Sequence, residues 1–544
     1  MNSLNYLPFV KKHLIDRGTL FTKHFCTIAL CCPSRVSLWT GKAAHNTNVT
    51  DVNPPYGGYP KFIQQGLNSN WLPVWLQNLN YNTYYTGKLF NSHTVSNYDK
   101  PFPAGFTGSD FLLDPYTYQY YNASFQRNKD PPTYHEGSYS TDVLAEKAYG
   151  FLDEAVAGDK PFFLTIAPVA PHSNVRIIQD NSDIPVDDML VEFDTPLPAE
   201  RHKHLFKDVK IPRTTNFNPE KPSGVSWIKD LPRQNESNVD YSDHFYRQRL
   251  RALQAVDELV DGVFARLEQY GILDNTYVFY STDNGYHVGQ HRLQPGKECG
   301  FEEDINIPLI VRGPGVPEGH TTDIVTTHTD LASTFLTIAG REPFPDSDGA
   351  VIPLTSTGLA QAKLERHEHA TVEYWGFALG EGKHSDGFHW NNTYKGLRIT
   401  GNGYNLYYSV WCSGEHQLYD LDNDPQQLHN LFSGSFSFDT IDTSATILGQ
   451  PLKKVVPRLD SLLFVLKSCK GTTCIKPWGT LHPEGNVNNL ADALSKRFDR
   501  FYEVEQRRIE YSRCEAGYIL DAEGPQFEVD GLVYRQGARW DQWT

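Results

Sequence analysis

Residues 246–285 read YRQRLRALQAVDELVDGVFARLEQYGILDNTYVFYSTDNG, and the order of signals within them decides the fold class. Leu250, Leu253, Val256, Val260, Val263, Phe264 and Leu267 recur at intervals of three and four, the stripe of an amphipathic helix over 246–270. Gly271 stops that helix, and Thr276–Ser281 then reads as a strand running into Asp283-Asn284. The same alternation recurs on either side. A helix over 6–17 precedes a strand Thr19–Phe25, and a helix over 71–79 precedes Thr83–Gly87. A helix over 141–157, with Val143, Leu144, Ala148, Phe151 and Leu152 on one face, precedes the continuous apolar strand Pro161–Ala167. Downstream, a strand Ile307–Val311 is followed by a helix over 329–339. Alternation of this kind predicts an α/β fold: a three-layer sandwich around a large, mostly parallel central sheet, with Pro161–Ala167 buried on both faces.

Near residue 390 the texture changes to short Tyr-rich strands, Tyr404–Val410 and Gln417–Leu421. This divides the chain into an α/β domain over 1–390 and a smaller α+β subdomain with an antiparallel sheet over 391–544. Residues 175–245 are Pro/Asp-rich with little periodicity and read as a long insertion near the site. Composition excludes several classes. Of 544 residues 39% are hydrophobic, enough for a large core, and the net charge of −16 argues against a nucleic-acid or anionic-membrane footprint. No run of 18 apolar residues is present to span a bilayer. Eight cysteines are too few for a disulfide scaffold, although Cys469 and Cys474 flank a loop short enough to bridge in an oxidising compartment. Acceptor sequons begin at Asn48, Asn122, Asn235 and Asn391, so a glycoprotein is expected if the chain is secreted. The opening MNSLNYLPFVKKHL has neither a basic n-region nor an apolar h-region, and encodes no signal peptide as given.

The richest stretch for chemistry is Cys31-Cys32-Pro33-Ser34-Arg35, continuing to Leu38-Trp39-Thr40-Gly41-Lys42. A bare Cys pair is ordinarily two small buried residues, and Asp-Asn-Gly is ordinarily a turn. The whole C-x-P-S-R…T-G-K string, with Ser281-Thr282-Asp283-Asn284-Gly285 placed after a strand, resembles the sulfatase family. Three further segments match in order: Thr86-Gly87-Lys88, Ala170-Pro171-His172-Ser173, and Lys297 ten residues before Ile307-Pro308. Leu418-Tyr419-Asp420-Leu421, Asp424-Pro425 and Asn430-Leu431 resemble the family's C-terminal signature. The doubled Cys and the Asp283-to-His287 string are closest to fungal-type arylsulfatases and N-acetylglucosamine-6-sulfatases.

That resemblance implies an alkaline-phosphatase-like fold and an arylsulfatase-type sulfuric ester hydrolase, with a 6-sulfated glucosamine ester as the alternative substrate. It makes Cys31 the residue oxidised to formylglycine by a formylglycine-generating enzyme, Arg35 the group that orients the hydrated aldehyde, and His172 the general acid for the leaving oxygen. Lys88 and Lys297 would bind sulfate, with Asn91 a further polar contact. Asp283 and Asn284, together with residue 31, would hold Ca²⁺, and Asp283 is placed to take the proton of the attacking hydroxyl. The physical need is plain. Sulfuryl oxygens repel an anionic nucleophile, and a hydrated aldehyde has a second hydroxyl whose collapse ejects sulfate. A helix starting after Pro33 would add N–H groups toward the anion.

Two departures accompany the match. Many family members place a His two residues after the Gly-Lys lysine; here Phe90 stands there, so Asn91, His45 or His287 would have to serve. Members also open with a buried strand ending in two adjacent acidic ligands, whereas this chain begins Met1-Asn2-Ser3-Leu4 at about the point where that strand should have ended. The expectation is a longer natural protein passing through the secretory pathway, and weaker Ca²⁺ binding by the chain as given. Asp187-Asp188, the one adjacent Asp pair in this half, follows Pro185 and is expected to face solvent.

Overall fold

The computed structural model describes residues 2–178, 190–385, 387–432, 434–435 and 441–533. Five strands position the site: β1 (Thr19–Phe25), β2 (Asn82–Lys88), β3 (Phe162–Ala167), β4 (Val278–Tyr280) and β5 (Asn306–Arg312). Four helices flank them: α1 (Cys31–Thr40), α2 (Ser140–Val156), α3 (Glu236–Gln269) and α4 (His328–Ile338). The α/β class holds, but the strands fall into two five-stranded sheets of mixed sense. In one, β1 pairs antiparallel with β5 and parallel with His320–Thr322, and β5 pairs antiparallel with β4. In the other, β2 lies parallel to both Gly108–Leu112 and β3, while Asn122–Arg127 and Thr133–Glu136 add antiparallel strands.

The strand expected to be covered on both faces is packed on both, Phe163 and Ala167 on one and Phe162 and Leu164 on the other, but it lies at the edge of its sheet. Among the described residues β3 pairs with β2 alone and β4 with β5 alone, and both are half-buried along their lengths. Where β2 meets β3 the approach is close. A Cβ on Gly87, at φ +108°, would lie 2.1 Å from the Ala167 carbonyl oxygen, so only glycine can precede Lys88 here.

Helix α3 starts at Glu236, ten residues before the expected start at 246, because the Asn235 side chain accepts the Asn238 N–H and the added turns bury Phe245 and Tyr246. Its buried Asp257 accepts the N–H groups of Phe9 and Val10, so one side chain of α3 satisfies the start of the N-terminal helical segment. Helix α1 is capped by Gly41, φ +67°, where an added Cβ would lie 3.3 Å from the Ala332 Cβ on α4.

The C-terminal antiparallel sheet runs His369–Tyr374, Tyr394–Gly401, Tyr404–Trp411, Glu415–Asp420 and Gly434–Ser435, so its first strand precedes the change of texture near 390. Period-two alternation covers both faces. Leu397, Ile399, Leu406 and Tyr408 pack on the helix Leu452–Leu466, while Tyr394, Tyr407, Trp411 and Tyr419 pack against Phe25, Ile28 and Phe301 of the α/β half. At the seam Glu373 binds both the buried Lys395, at 2.7 Å, and His45 Nδ1, at 2.8 Å. Among the described residues no helix is long and apolar enough to cross a membrane.

Two disulfides are present. Cys469–Cys474 is the pair anticipated from spacing, and Cys412–Cys514, 102 residues apart, carries no sequence signal. Loop-closure entropy grows with the logarithm of loop length, giving about 4.7 kcal/mol for a loop of this size against about 2 for a five-residue loop. Cys412→Ser should therefore lower the thermal midpoint of the oxidised protein more than Cys474→Ser, measured side by side by calorimetry at one scan rate.

Candidate active site

The carboxyl ends of β2, β3 and β4 open on the start of α1, the region where α/β sheets place ligands. Cys31 is the first residue of α1, buried, with Lys297 Nζ 2.9 Å from its Sγ. Burial opposes its ionisation, yet Lys297 and then Lys88 carry the Cys31 thiol below its ordinary value. Its neighbour differs. Cys32 turns into the apolar core with Val36 and Trp71, and burial pushes its thiol up to about 12. Helical geometry thus separates the two adjacent cysteines, and residue 31 is the one that faces charge.

Arg35, one turn along α1, ties the site together. Its Nε donates to Asp283 Oδ2 at 2.8 Å and its NH1 to the Lys88 carbonyl at 2.6 Å. Ser34 Oγ donates to the Asp283 carbonyl at 2.6 Å and accepts from His328 Nδ1 at 2.9 Å, fixing the loop after β4 against α1 and α4. Lys88, at the end of β2, lies 4.0 Å from Asp283 Oδ2 and over the Tyr118 ring at 4.8 Å. Burial lowers its pKa. Burial works against the Asp283 charge, but Arg35, Lys88 and Lys297 together hold its carboxyl well below the usual carboxylate range. A carboxylate held ionised in this way suits ligand duty.

His172 Nδ1 lies 2.9 Å from the Ser173 carbonyl, which leaves Nε2 as the outward nitrogen, and the ring packs 4.3 Å from Tyr118. Burial, with Lys297 and Lys88 adding to it, lowers the His172 pKa to about 3. Asn91 approaches from behind. Its Nδ2 donates to Tyr118 OH at 2.7 Å, and its Oδ1 is buried with no hydrogen-bond partner. Neither histidine considered as a substitute base is free at both ring nitrogens. His45 is held by Glu373 and by the Cys469 carbonyl, and His287 Nδ1 by Asp304 at 2.9 Å. Asp187-Asp188 lies outside the described residues. Sequence reading missed Tyr118, between Lys88 and His172, and Glu381, whose Oε2 accepts from Ser173 Oγ and from Tyr286 OH. Tyr286 was within reach of the motif, two residues past Asn284; Tyr118 and Glu381 sit in loops with no pattern to mark them.

For a divalent cation the donor chemistry fits, but the donor count is short. Asn284 Oδ1 is buried without a partner and Asp283 adds a carboxylate, both hard oxygens of the kind Ca²⁺ prefers. Ca²⁺ takes six to eight such ligands, whereas the side chains crowding this pair are Arg35, Lys88 and Lys297. Among the described residues none of these three cations pairs with a carboxylate other than Asp283. Three cations against Asp283 and the more distant Glu381 leave the pocket with an excess of positive charge, suited to an anion.

Residues 2–341 match the family model described as Sulfatase, and residues 289–443 match that described as N-sulphoglucosamine sulphohydrolase, C-terminal. The chain belongs to the sulfatase family. It is 40% identical over 529 residues to an arylsulfatase of Volvox carteri, covering 94% of this chain and 78% of that protein. It is 30% identical over 542 residues to the N-acetylglucosamine-6-sulfatase of Bos taurus, covering 92% and 87%. A structure solved with its substrate D-glucosamine-2-N,6-O-disulfate superposes with a TM-score of 0.61 at 21% identity, over 78% of this chain and 88% of that one, which establishes the shared fold. Sulfatases, as the family name states, act on sulfuric esters.

The thiol environment can be checked without substrate. In protein made without maturation, iodoacetamide at neutral pH should alkylate Cys31 ahead of Cys26, Cys32 and Cys299, whose thiols burial holds protonated. Lys297→Ala should slow that reaction, as read by peptide mass spectrometry, because it removes the cation nearest Sγ.

Proposed function

We propose that the chain cleaves sulfate monoesters as an arylsulfatase, with Cys31 matured to formylglycine by a formylglycine-generating enzyme and Ca²⁺ held by Asp283 and Asn284. One observation carries the reading: Cys31 heads a ten-residue helix beside Lys297 and Lys88 in a pocket whose cations outnumber its carboxylates. Lys88 and Lys297 bind the sulfuryl oxygens, and the N–H groups at the start of α1 add positive partial charge. Arg35, anchored by Asp283 and the Lys88 carbonyl, orients the nucleophile. The hydrated aldehyde supplies two hydroxyls, one to attack sulfur and one whose collapse to the carbonyl releases sulfate. His172 presents Nε2 to the leaving oxygen, and the negative charge of bound ester favours its protonated form. Ca²⁺, when bound, would supply further positive charge at the same oxygens, with Asp283 and Asn284 as its ligands here.

A glycan substrate is the second reading, favoured by the 30% identity to N-acetylglucosamine-6-sulfatase over nearly the whole chain. Passage through the secretory pathway is supported by the two disulfides, by sequon residues Asn235 and Asn391 lying exposed, and by relatives from Caenorhabditis elegans and Drosophila melanogaster named as extracellular sulfatases.

Coexpression with a maturing enzyme should give a Cys31 peptide whose mass shows the aldehyde in place of the thiol. The same preparation should hydrolyse nitrocatechol sulfate, and Cys31→Ala should lose at least about 10³-fold in kcat/KM. Full activity in Cys31→Ala, or a preference for phosphate esters with the thiol intact, overturns the mechanism. Titration calorimetry of the 544-residue chain should find Ca²⁺ binding no tighter than about 10⁻⁴ M, abolished by Asp283→Asn.

A further inference from the structure

Glu381 enters the site from outside the sequence motifs. It follows Ala378–Leu379, the first strand of a short hairpin closed by Phe388–His389. The hairpin is pinned to the nucleophile's wall. Glu381 N donates to the Pro295 carbonyl at 2.6 Å, and Leu379 N donates to Glu298 Oε2 at 2.7 Å, so both bonds flank Lys297 in sequence. The Glu381 side chain is buried, with Oε2 accepting from Ser173 Oγ and, at 2.8 Å, from Tyr286 OH. Among the described residues nothing donates to Oε1, and no Lys or Arg comes within ion-pair distance of this carboxylate. A buried carboxylate without a contacting cation is costly to keep, so its charge requires a use.

The charges around His172 supply that use. Lys297 and Lys88 both act against a proton on its imidazole, and burial acts in the same direction. From α3, Arg249 donates to the Pro171 carbonyl at 3.1 Å and stacks 4.2 Å over the Tyr286 ring, adding a third cation on this side. Tyr118 packs on the ring, and Tyr120 OH donates to the His172 carbonyl at 2.8 Å, both neutral. Glu381 is the carboxylate that faces His172 against these cations. We propose that Glu381 is a positioning residue for leaving-group protonation: it anchors the His172 loop through Ser173 and sets a negative charge opposite the imidazole, so that Nε2 holds a proton between two lysines. The inference rests on His172 acting as the acid. As the nucleophile's oxygen bonds to sulfur and gives up its proton, the ester S–O bond breaks, the leaving oxygen keeps the bonding pair and takes the Nε2 proton, and water later returns a proton to the neutral ring.

Leaving-group dependence separates this role from scaffolding, since a nitrocatechol leaves readily as its anion and a sugar alcohol does not. Matured wild type, Glu381→Gln and Glu381→Asp should be assayed on sulfate esters of nitrocatechol, phenol and a sugar hydroxyl. Glu381→Gln should lose about 10²-fold or more on the sugar ester and under about 10-fold on nitrocatechol sulfate, within the usual span of general-acid effects. Its alkaline limb in kcat should move to lower pH, because removing the negative charge destabilises the protonated imidazole. Glu381→Asp should recover part of both. Equal losses across the three esters, or an unmoved alkaline limb, overturn the proposal. If Glu381→Gln does not fold, Ser173→Ala, which loosens the carboxylate without deleting it, should show the same ester-selective loss, and a uniform loss there is equally fatal. A His172→Ala enzyme with no leaving-group dependence would instead defeat the acid assignment itself, with Glu381 left aside.

Discussion

The contact on which this molecule turns is the 2.9 Å approach of Lys297 Nζ to Cys31 Sγ. It joins the start of α1 to a segment 266 residues away, and it does so inside a pocket where Arg35, Lys88 and Lys297 outnumber the carboxylates. Like charges brought together in a low-dielectric interior repel strongly, so such a pocket persists only if the surrounding fold holds it. The holding is visible. Arg35 bridges Asp283 and the Lys88 carbonyl, Ser34 bridges the Asp283 carbonyl and His328, and the Gly87 contact locks β2 to β3. The stability given up there is returned to any anion that enters, which is how a preorganised site binds and polarises a substrate at little reorganisation cost.

The α/β half does not complete this arrangement alone. The hairpin that carries Glu381 connects the first and second strands of the C-terminal sheet, and His45, close after α1, is held by Glu373 from that sheet's first strand. Tyrosines on one face of the sheet bury Phe25 and Phe301, so the second core leans on the strand and loop that shape the nucleophile's surroundings. Disturbance of the C-terminal core is thereby transmitted to the pocket through packed side chains and the Glu373 network, and not through a flexible linker.

Much of this was legible in the chain itself, because the features concerned are local. The stripe from Leu250 to Leu267 needs no partner to be recognised as helix, and Cys31 is singled out by the Pro two positions later. What escaped depends on the tertiary fold. Tyr118 and Glu381 acquire meaning only when loops 53 or more residues from His172 fold against it, and Cys412 meets Cys514 across 102 residues. The early start of α3 was hidden because residues 236–245 are polar and their helicity rests on the Asn235 cap and on Phe245 and Tyr246 packing. The unbroken apolar run of β3 is read correctly as packed on both faces, but it does not reveal that only one edge of the strand has a neighbour among the described residues.

That one-sidedness bears on how the protein behaves in bulk. Along β3 and β4, main-chain groups outside the ladders sit beside half-buried Phe163, Leu164, Ile166 and Phe279, with no inward charge, bulge or covering proline to make the edge unattractive. Edges of this character invite foreign strands, and each carries apolar side chains able to seal the join. Crowded or warmed preparations of these 544 residues should therefore associate first at the margin of the anion pocket, where both edges lie.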